Sequence, residues 1–190
     1  MILRFSAIAL LSFVWFVSNI PSGFGDPIQC RLGVFDHWEA VWNHDTNTCF
    51  IVSFPIKQEF RRCQSGRNPS ANCPLVDPQT IKRDKKVFVS ISRVAQEEPI
   101  PSISLGYPLA QNIDVVVRIG TKTFYLYPTG ETAWMYEGRD QELVEAIRNG
   151  REMVVSGIST RGTYTIDTYS LIGSQRALDH INKICKNFSR

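Results

Sequence analysis

The run MVVSGISTRGTYTIDTYSLIG, residues 153 to 173, admits few structures. Met153, Val154 and Val155 begin an apolar strand, Arg161-Gly162 can turn it, and residues 163 to 171 return. The return limb is crowded with β-branched and aromatic residues, which suit a pleated surface and lower helix propensity. Gly162 can take the positive φ that a tight hairpin turn requires. The run therefore predicts a β-hairpin. Side chains alternate along a strand, so Thr163, Thr165, Asp167 and Tyr169 share one face and Tyr164, Ile166, Thr168 and Ser170 the other. Ser159, Arg161, Thr163, Thr165 and Asp167 are then a candidate polar recognition surface, with Arg161 and Asp167 spaced for an ion pair across the hairpin. The plainer reading is that these groups cap neighbouring loops and satisfy backbone at a sheet edge, the commoner use of such side chains.

Elsewhere the pattern is again mostly β. Residues 34 to 42 alternate with apolar groups on both faces and read as one covered strand; 43 to 47 form a polar turn, and 48 to 54 a second strand ended by Pro55. Further strands are expected at 87 to 94, around Ile103 and Leu105, and at 113 to 119 and 122 to 127, the last two forming a hairpin with Phe124 and Leu126 inward and Tyr125 and Tyr127 outward. Trp134 reads as a core anchor. Two helices are expected. Asp140 can cap one over 141 to 149, stopped by Gly150. Ser174 can cap the last, which turns Ala177, Leu178, Ile181, Ile184 and Cys185 inward and pairs Asp179 with Lys183 outward. Short connections favour antiparallel pairing, so the fold class is mainly β (α+β): an antiparallel β-sandwich or half-barrel of about eight strands with two helices packed on one side.

At the N-terminus, Arg4 precedes an apolar run from Phe5 to Val17 and then small, turn-forming residues up to Gly25. This is the layout of a signal peptide over residues 1–25, and the apolar run is short of the about 20 residues that span a bilayer. One domain over 26–190 would remain. Arg4 is the leader's one charged residue, so its loss lowers the formal net charge of +3 by one. No overall field draws such a chain to nucleic acid. Export would also change the meaning of the 5 cysteines: disulfides become their default, and an odd count leaves one over. Cys63 and Cys73 flank a Gly/Asn/Pro/Ser loop and can close a local ring at little strain.

That loop lies in the one irregular stretch, 56–86, which holds Pro69, Pro74 and Pro78 and no sustained period. Arg61, Arg62 and Arg67 on one foot, with Lys82, Arg83, Lys85 and Lys86 on the other, form a candidate basic loop for an anionic surface; an exposed charge run more often simply solvates. The chain shows no phosphate loop or cofactor motif, and the spacing of its cysteines and of His37, His44 and His180 matches no zinc pattern, so neither cofactor nor metal is expected. Ser159, Asp167 and His180 could be imagined as a triad. However, Ser159 lacks a nucleophile-elbow context, and no catalytic residue is assigned.

The residues Gly157, Ser159, Arg161, Gly162, Thr163, Thr165, Asp167, Thr168, Ser170, Leu171 and Gly173, followed by a short helix ending in Cys185, resemble the C-terminal signature of the invasion-associated locus B family, a set of bacterial envelope proteins linked to host-cell entry. Gly106-Tyr107-Pro108 and Ala133-Trp134 are also similar to family motifs, and 56–86 looks like an insertion relative to it. The resemblance implies a Cys49–Cys185 disulfide, leaving Cys30 free or joined to another chain. Together with the leader and the lack of a catalytic motif, it implies an exported, non-enzymatic protein of the periplasm or outer membrane, or one displayed at the surface or secreted, that acts in invasion by binding. Its partner would be a protein, glycan or lipid at the host or bacterial surface. The alternative is a structural periplasmic component with an indirect effect on entry, and a hydrolase is a minor alternative.

Overall fold

The computed structural model describes residues 29–62, 73–77, 81, 83, 86–94 and 97–185. The signal peptide expected over 1–25 lies outside the described residues.

Among the described residues, eleven strands and two helices follow in chain order: β1 (Gln29–Phe35), β2 (Trp38–Asn43), β3 (Thr48–Ser53), β4 (Lys57–Arg62), β5 (Phe88–Val94), β6 (Ile100–Ser104), β7 (Val115–Ile119), β8 (Lys122–Thr129), β9 (Thr132–Met135), α1 (Asp140–Asn149), β10 (Glu152–Ile158), β11 (Thr163–Ser170) and α2 (Ser174–Ile184). All eleven strands join one antiparallel sheet rather than the two of a sandwich, in the order β1-β2-β3-β5-β6-β9-β8-β7-β10-β11-β4. The sheet is open, with β1 and β4 at its edges. The count exceeds eight because Thr132–Met135 forms β9, where no strand was expected, and for two further reasons. First, residues 34 to 42 are not one strand: Asp36 takes φ 51° and the chain turns there, pairing Phe35 with Trp38. Second, Lys57–Arg62, inside the stretch expected to be irregular, is a strand that pairs with β11 along its whole length.

The sheet order forces a shape. β3 and β4 are joined by residues 54 to 56 alone, yet stand eight places apart in the sheet. A flat sheet would separate them by about 38 Å at ~4.8 Å per strand, whereas the four peptide steps between their ends reach at most about 14 Å. The sheet must therefore curl back on itself. Two bonds close the gap: the Trp38 indole N–H of β2 donates to the Ser170 carbonyl of β11 at 3.1 Å, and the Ile56 N–H donates to the Thr168 carbonyl at 2.7 Å. Wrapped inside the curl are alternate residues of every central strand, among them Trp38, Ile51, Ile91, Ile103, Val117, Leu126, Met135 and Val155, all buried.

The helices cover this core with the stripes their spacing predicts: Leu143, Val144, Ala146 and Ile147 of α1, and Ala177, Leu178 and Ile181 of α2. α2 lies against β1, β2 and β3, and α1 against α2 and β6. Their starts differ from expectation. Asp140 is the first helical residue of α1, not its cap, and its carboxylate sits where the helix dipole favours negative charge. Ser174 is likewise inside α2, and its hydroxyl donates to the Ile147 carbonyl at 2.8 Å, tying one helix to the end of the other. The position before it belongs to Gly173, at φ 97°, where a Cβ would stand 2.0 Å from the Phe35 carbonyl oxygen. Asp179 accepts from Arg148 of α1 at 2.7 Å instead of pairing with Lys183.

Phe124 and Leu126 are buried while Tyr125 and Tyr127 face outward, as alternation predicts. Trp134 does not anchor the core. Ala133 and Met135 take the inward positions of β9, which leaves Trp134 half-buried on the outer face between Ser102 and Tyr127. The buried anchor is Trp38.

Candidate functional site

The inward face of β11 carries Thr163, Thr165, Asp167 and Tyr169, all buried, with Asp167 at 0% exposure. Around Asp167 a polar cluster is assembled from four parts of the chain. The Arg83 guanidinium donates to both carboxylate oxygens, Nη1 to Oδ2 and Nη2 to Oδ1, each at 3.0 Å, and Gln58 Nε2 of β4 donates to Oδ1 at 3.4 Å. The Arg83 side chain is 7% exposed and lies over the rings of Phe60, at 4.9 Å, and Tyr107, at 5.4 Å. The Tyr107 hydroxyl is hydrogen-bonded to Thr165 Oγ1 at 2.6 Å. Burial raises the pKa of Asp167 above the ordinary carboxylate value, and the Arg83 charge and hydrogen bonds pull it back. Burial also pushes the Tyr107 and Tyr169 hydroxyls up, so both stay neutral near pH 7. Among the described residues, Arg83 Nε and the Tyr169 hydroxyl have no hydrogen-bond partner.

The expected polar surface is thus an interior. Alternation grouped Thr163, Thr165 and Asp167 correctly, but the curl of the sheet makes that face the concave one. Ser159 is buried as well, and only Arg161 of the five is exposed, at the turn. The ion pair expected between Arg161 and Asp167 is replaced by one to Arg83, a residue that the sequence alone places in a basic run. A bidentate fork between two side chains that are both almost fully covered has more directional charge-assisted hydrogen bonds than an exposed pair across a hairpin, at the cost of desolvating both charges.

The other signature residues hold the same architecture. Gly157 faces Thr165 across the β10–β11 ladder, and a Cβ there would come within 2.3 Å of Leu105 Cδ2. Ser159 Oγ accepts from the Thr163 N–H at 3.1 Å, the Ser159 N–H donates to the Thr163 carbonyl, and Gly162 turns at φ 78°. Ser170 Oγ accepts from the Ile172 N–H, and Leu171 is buried. These groups cap loops and tie strands, the plainer of the two readings offered by the sequence.

The basic loop divides. Arg83 is buried. Arg61 donates to the Cys73 carbonyl and to Glu59, and its neighbour's N–H donates to the Pro74 carbonyl, so 74–76 covers the outer edge of β4. Arg62 and Lys86 are exposed, while Arg67, Lys82 and Lys85 lie outside the described residues. Cys49 and Cys185 are disulfide-bonded, with Cα atoms 6.2 Å apart and a sequence separation of 136. Cys73 is disulfide-bonded too; Cys63, its expected partner, lies outside the described residues. Cys30 is free and exposed on the edge strand β1.

Ser159, Asp167 and His180 have separate partners: Ser159 bonds within its own turn, Asp167 holds Arg83, and His180 Nε2 lies 3.2 Å from the Leu32 carbonyl with its ring against Phe35. Several open pockets flank the sheet. One of about 900 Å³ lies between the β7–β8 turn and the end of α1, lined by Arg118, Lys122, Glu145 and Arg151 among others. Another, of about 480 Å³, sits beside the buried cluster and is lined by Phe54, Gln58, Phe60, Ile81, Arg83 and Lys86 with Pro55 and Val87.

The Tyr107–Thr165 bond provides a contained test of the cluster. Tyr107→Phe leaves the Thr165 hydroxyl buried without that partner, an expected loss of about 1–3 kcal/mol in urea unfolding. A loss under about 0.5 kcal/mol would mean that the hydroxyl finds another acceptor or water.

No family model matches the chain, and no curated protein matches it. Among solved structures, the chain is similar to the crystal structure of invasion associated protein B from Bartonella henselae. The two share 13% sequence identity with a TM-score of 0.49, over 81% of this chain and 97% of that chain.

Proposed function

We propose that this is an exported envelope protein that acts in host-cell invasion by binding rather than catalysis, using the curled sheet as a rigid scaffold. The observation that carries this reading is the Cys49–Cys185 disulfide. Structural disulfides persist in oxidising compartments and are rare in the cytosol, which supports a periplasmic or outer-membrane location and fits the signal-peptide layout of the N-terminus. The resemblance of residues 157 to 173 to the C-terminal signature of the invasion-associated locus B family supports the biological setting. The polar residues of that run are engaged with one another inside the sheet, which supports a scaffold role for them and leaves the outer face and loops to make contacts.

The test is binding of the purified, oxidised protein to intact host cells and, separately, to bacterial outer-membrane fractions, together with protease added to intact bacteria. Saturable binding to host cells with protease-sensitive protein on intact bacteria is the expected result. Binding to the bacterial fraction alone, with protease resistance, would make the protein a structural periplasmic component whose effect on entry is indirect. Binding to neither would overturn the reading.

A further inference from the structure

The three residues that link β3 to β4 are Phe54-Pro55-Ile56, and both large side chains stand in solvent: Phe54 is 49% and Ile56 54% exposed. The corner is nevertheless held firmly. Ser53 before it is fully buried, and the Ile56 N–H bonds to the Thr168 carbonyl. Pro55 has no N–H to desolvate. Ile172, also exposed, is brought to the same end of the sheet, because its carbonyl accepts from the N–H of His37, the neighbour of the Trp38 that pairs with Ser53. Exposed apolar groups collected on a rigid corner mark a contact site.

The charges around the corner indicate the partner. Lys57 follows it directly with its side chain 66% exposed, and Lys86 lines the same 480 Å³ pocket as Phe54. That pocket has no acidic residue in its lining; the nearby Asp167 carboxylate is buried and already engaged by Arg83. Glu59 is held between Lys57 and Arg61. Lys57, Arg61 and Lys86 thus outnumber the one carboxylate, Glu59, that Lys57 and Arg61 share, and apolar side chains that protrude beside such an excess of cations complement an anionic bilayer: the apolar groups enter the acyl boundary and the lysines meet the headgroups. A protein partner fits less well, since three half-exposed side chains fall far short of the ~800 Å² that each side of a stable protein interface buries.

We propose that the Phe54-Pro55-Ile56 corner, with Lys57 and Lys86, docks this protein on an anionic phospholipid surface. The proposal rests on the binding function inferred above and names its partner. The experiment is co-sedimentation of the oxidised protein with phosphatidylethanolamine vesicles made with and without phosphatidylglycerol. Binding is expected only with the anionic lipid, weakening as salt is raised. Lys86→Ala should weaken it roughly fivefold, and the double variant Phe54→Ser/Ile56→Ser roughly tenfold or more. Phe54→Trp should keep or strengthen it, because Trp favours the membrane interface. Both apolar positions are already half in solvent, and unchanged melting of the serine variant would show that it remains folded. Equal binding to both vesicle types, or full binding by the serine variant, overturns the proposal. Saturable binding to cells or outer-membrane fractions without any binding to vesicles overturns the lipid partner alone and leaves the binding function standing.

Discussion

Replacing Asp167 with alanine is expected to lower the unfolding free energy by about 3–5 kcal/mol, because it strands the buried Arg83 charge without its counter-ion. For a chain of this length that corresponds to a fall of roughly 10 to 15 °C in Tm. The loss comes mostly from the orphaned guanidinium, since burying two charges costs nearly as much as their attraction returns. The double variant Arg83→Met/Asp167→Leu, which fills similar volume with apolar groups, should therefore be much more stable than Asp167→Ala. Thermal and urea unfolding of the wild type, Arg83→Met, Asp167→Leu and the double variant form the required cycle. Additive losses would show that the two groups are not coupled. A single-variant loss below about 1 kcal/mol would place Arg83 in water, as an exposed pair is.

The second large effect is expected at Cys49–Cys185. The bridge closes a loop spanning 136 residues, and the chain-entropy model assigns such a loop about 5 kcal/mol. It also fixes the end of α2 to β3, where Cys49 and Cys185 are both buried among core residues. A Cys49→Ala/Cys185→Ala variant should lose most of that amount, with Tm lower by roughly 10 °C or more. The wild type should show the same loss under reductant strong enough to open the bridge, whereas the double variant should respond to reductant only through Cys73. A change of less than about 1 kcal/mol in the double variant would show that α2 packing alone holds the terminus and that the bridge contributes little. The test also bears on compartment, because a fold that depends on this disulfide is matched to an oxidising one.

Some of this was readable because it is local. The β10–β11 hairpin follows from β-branched residues around Arg161-Gly162, and the two amphipathic stripes follow from helical spacing; each depends on neighbours a few residues apart. Alternation also placed Phe124 and Leu126 on the opposite face from Tyr125 and Tyr127. The Cys49–Cys185 pair was legible only through the resemblance of its positions to a family, since spacing alone leaves the pairing of five cysteines open.

What the sequence could not settle depends on residues distant along the chain. Alternation puts Thr163, Thr165 and Asp167 on one face, but which face is inside depends on the curl, and the curl follows from β4 standing at the far edge from β3. β4 itself, KQEFRR, has no apolar alternation to announce it; it is a strand because β11, more than a hundred residues later, offers it a ladder. The same distance hides the partner of Asp167. Arg83 lies in a basic run that reads as solvated, and only the packing of Phe60 and Tyr107 around its guanidinium makes it a buried ion pair. By itself, then, the sequence determined the hairpin, the helical stripes and the signature residues, because local sterics and periodicity act within a few residues. The tertiary structure alone decided sheet order, the inward turn of the polar face and the Arg83–Asp167 pair, because those depend on which distant strands meet.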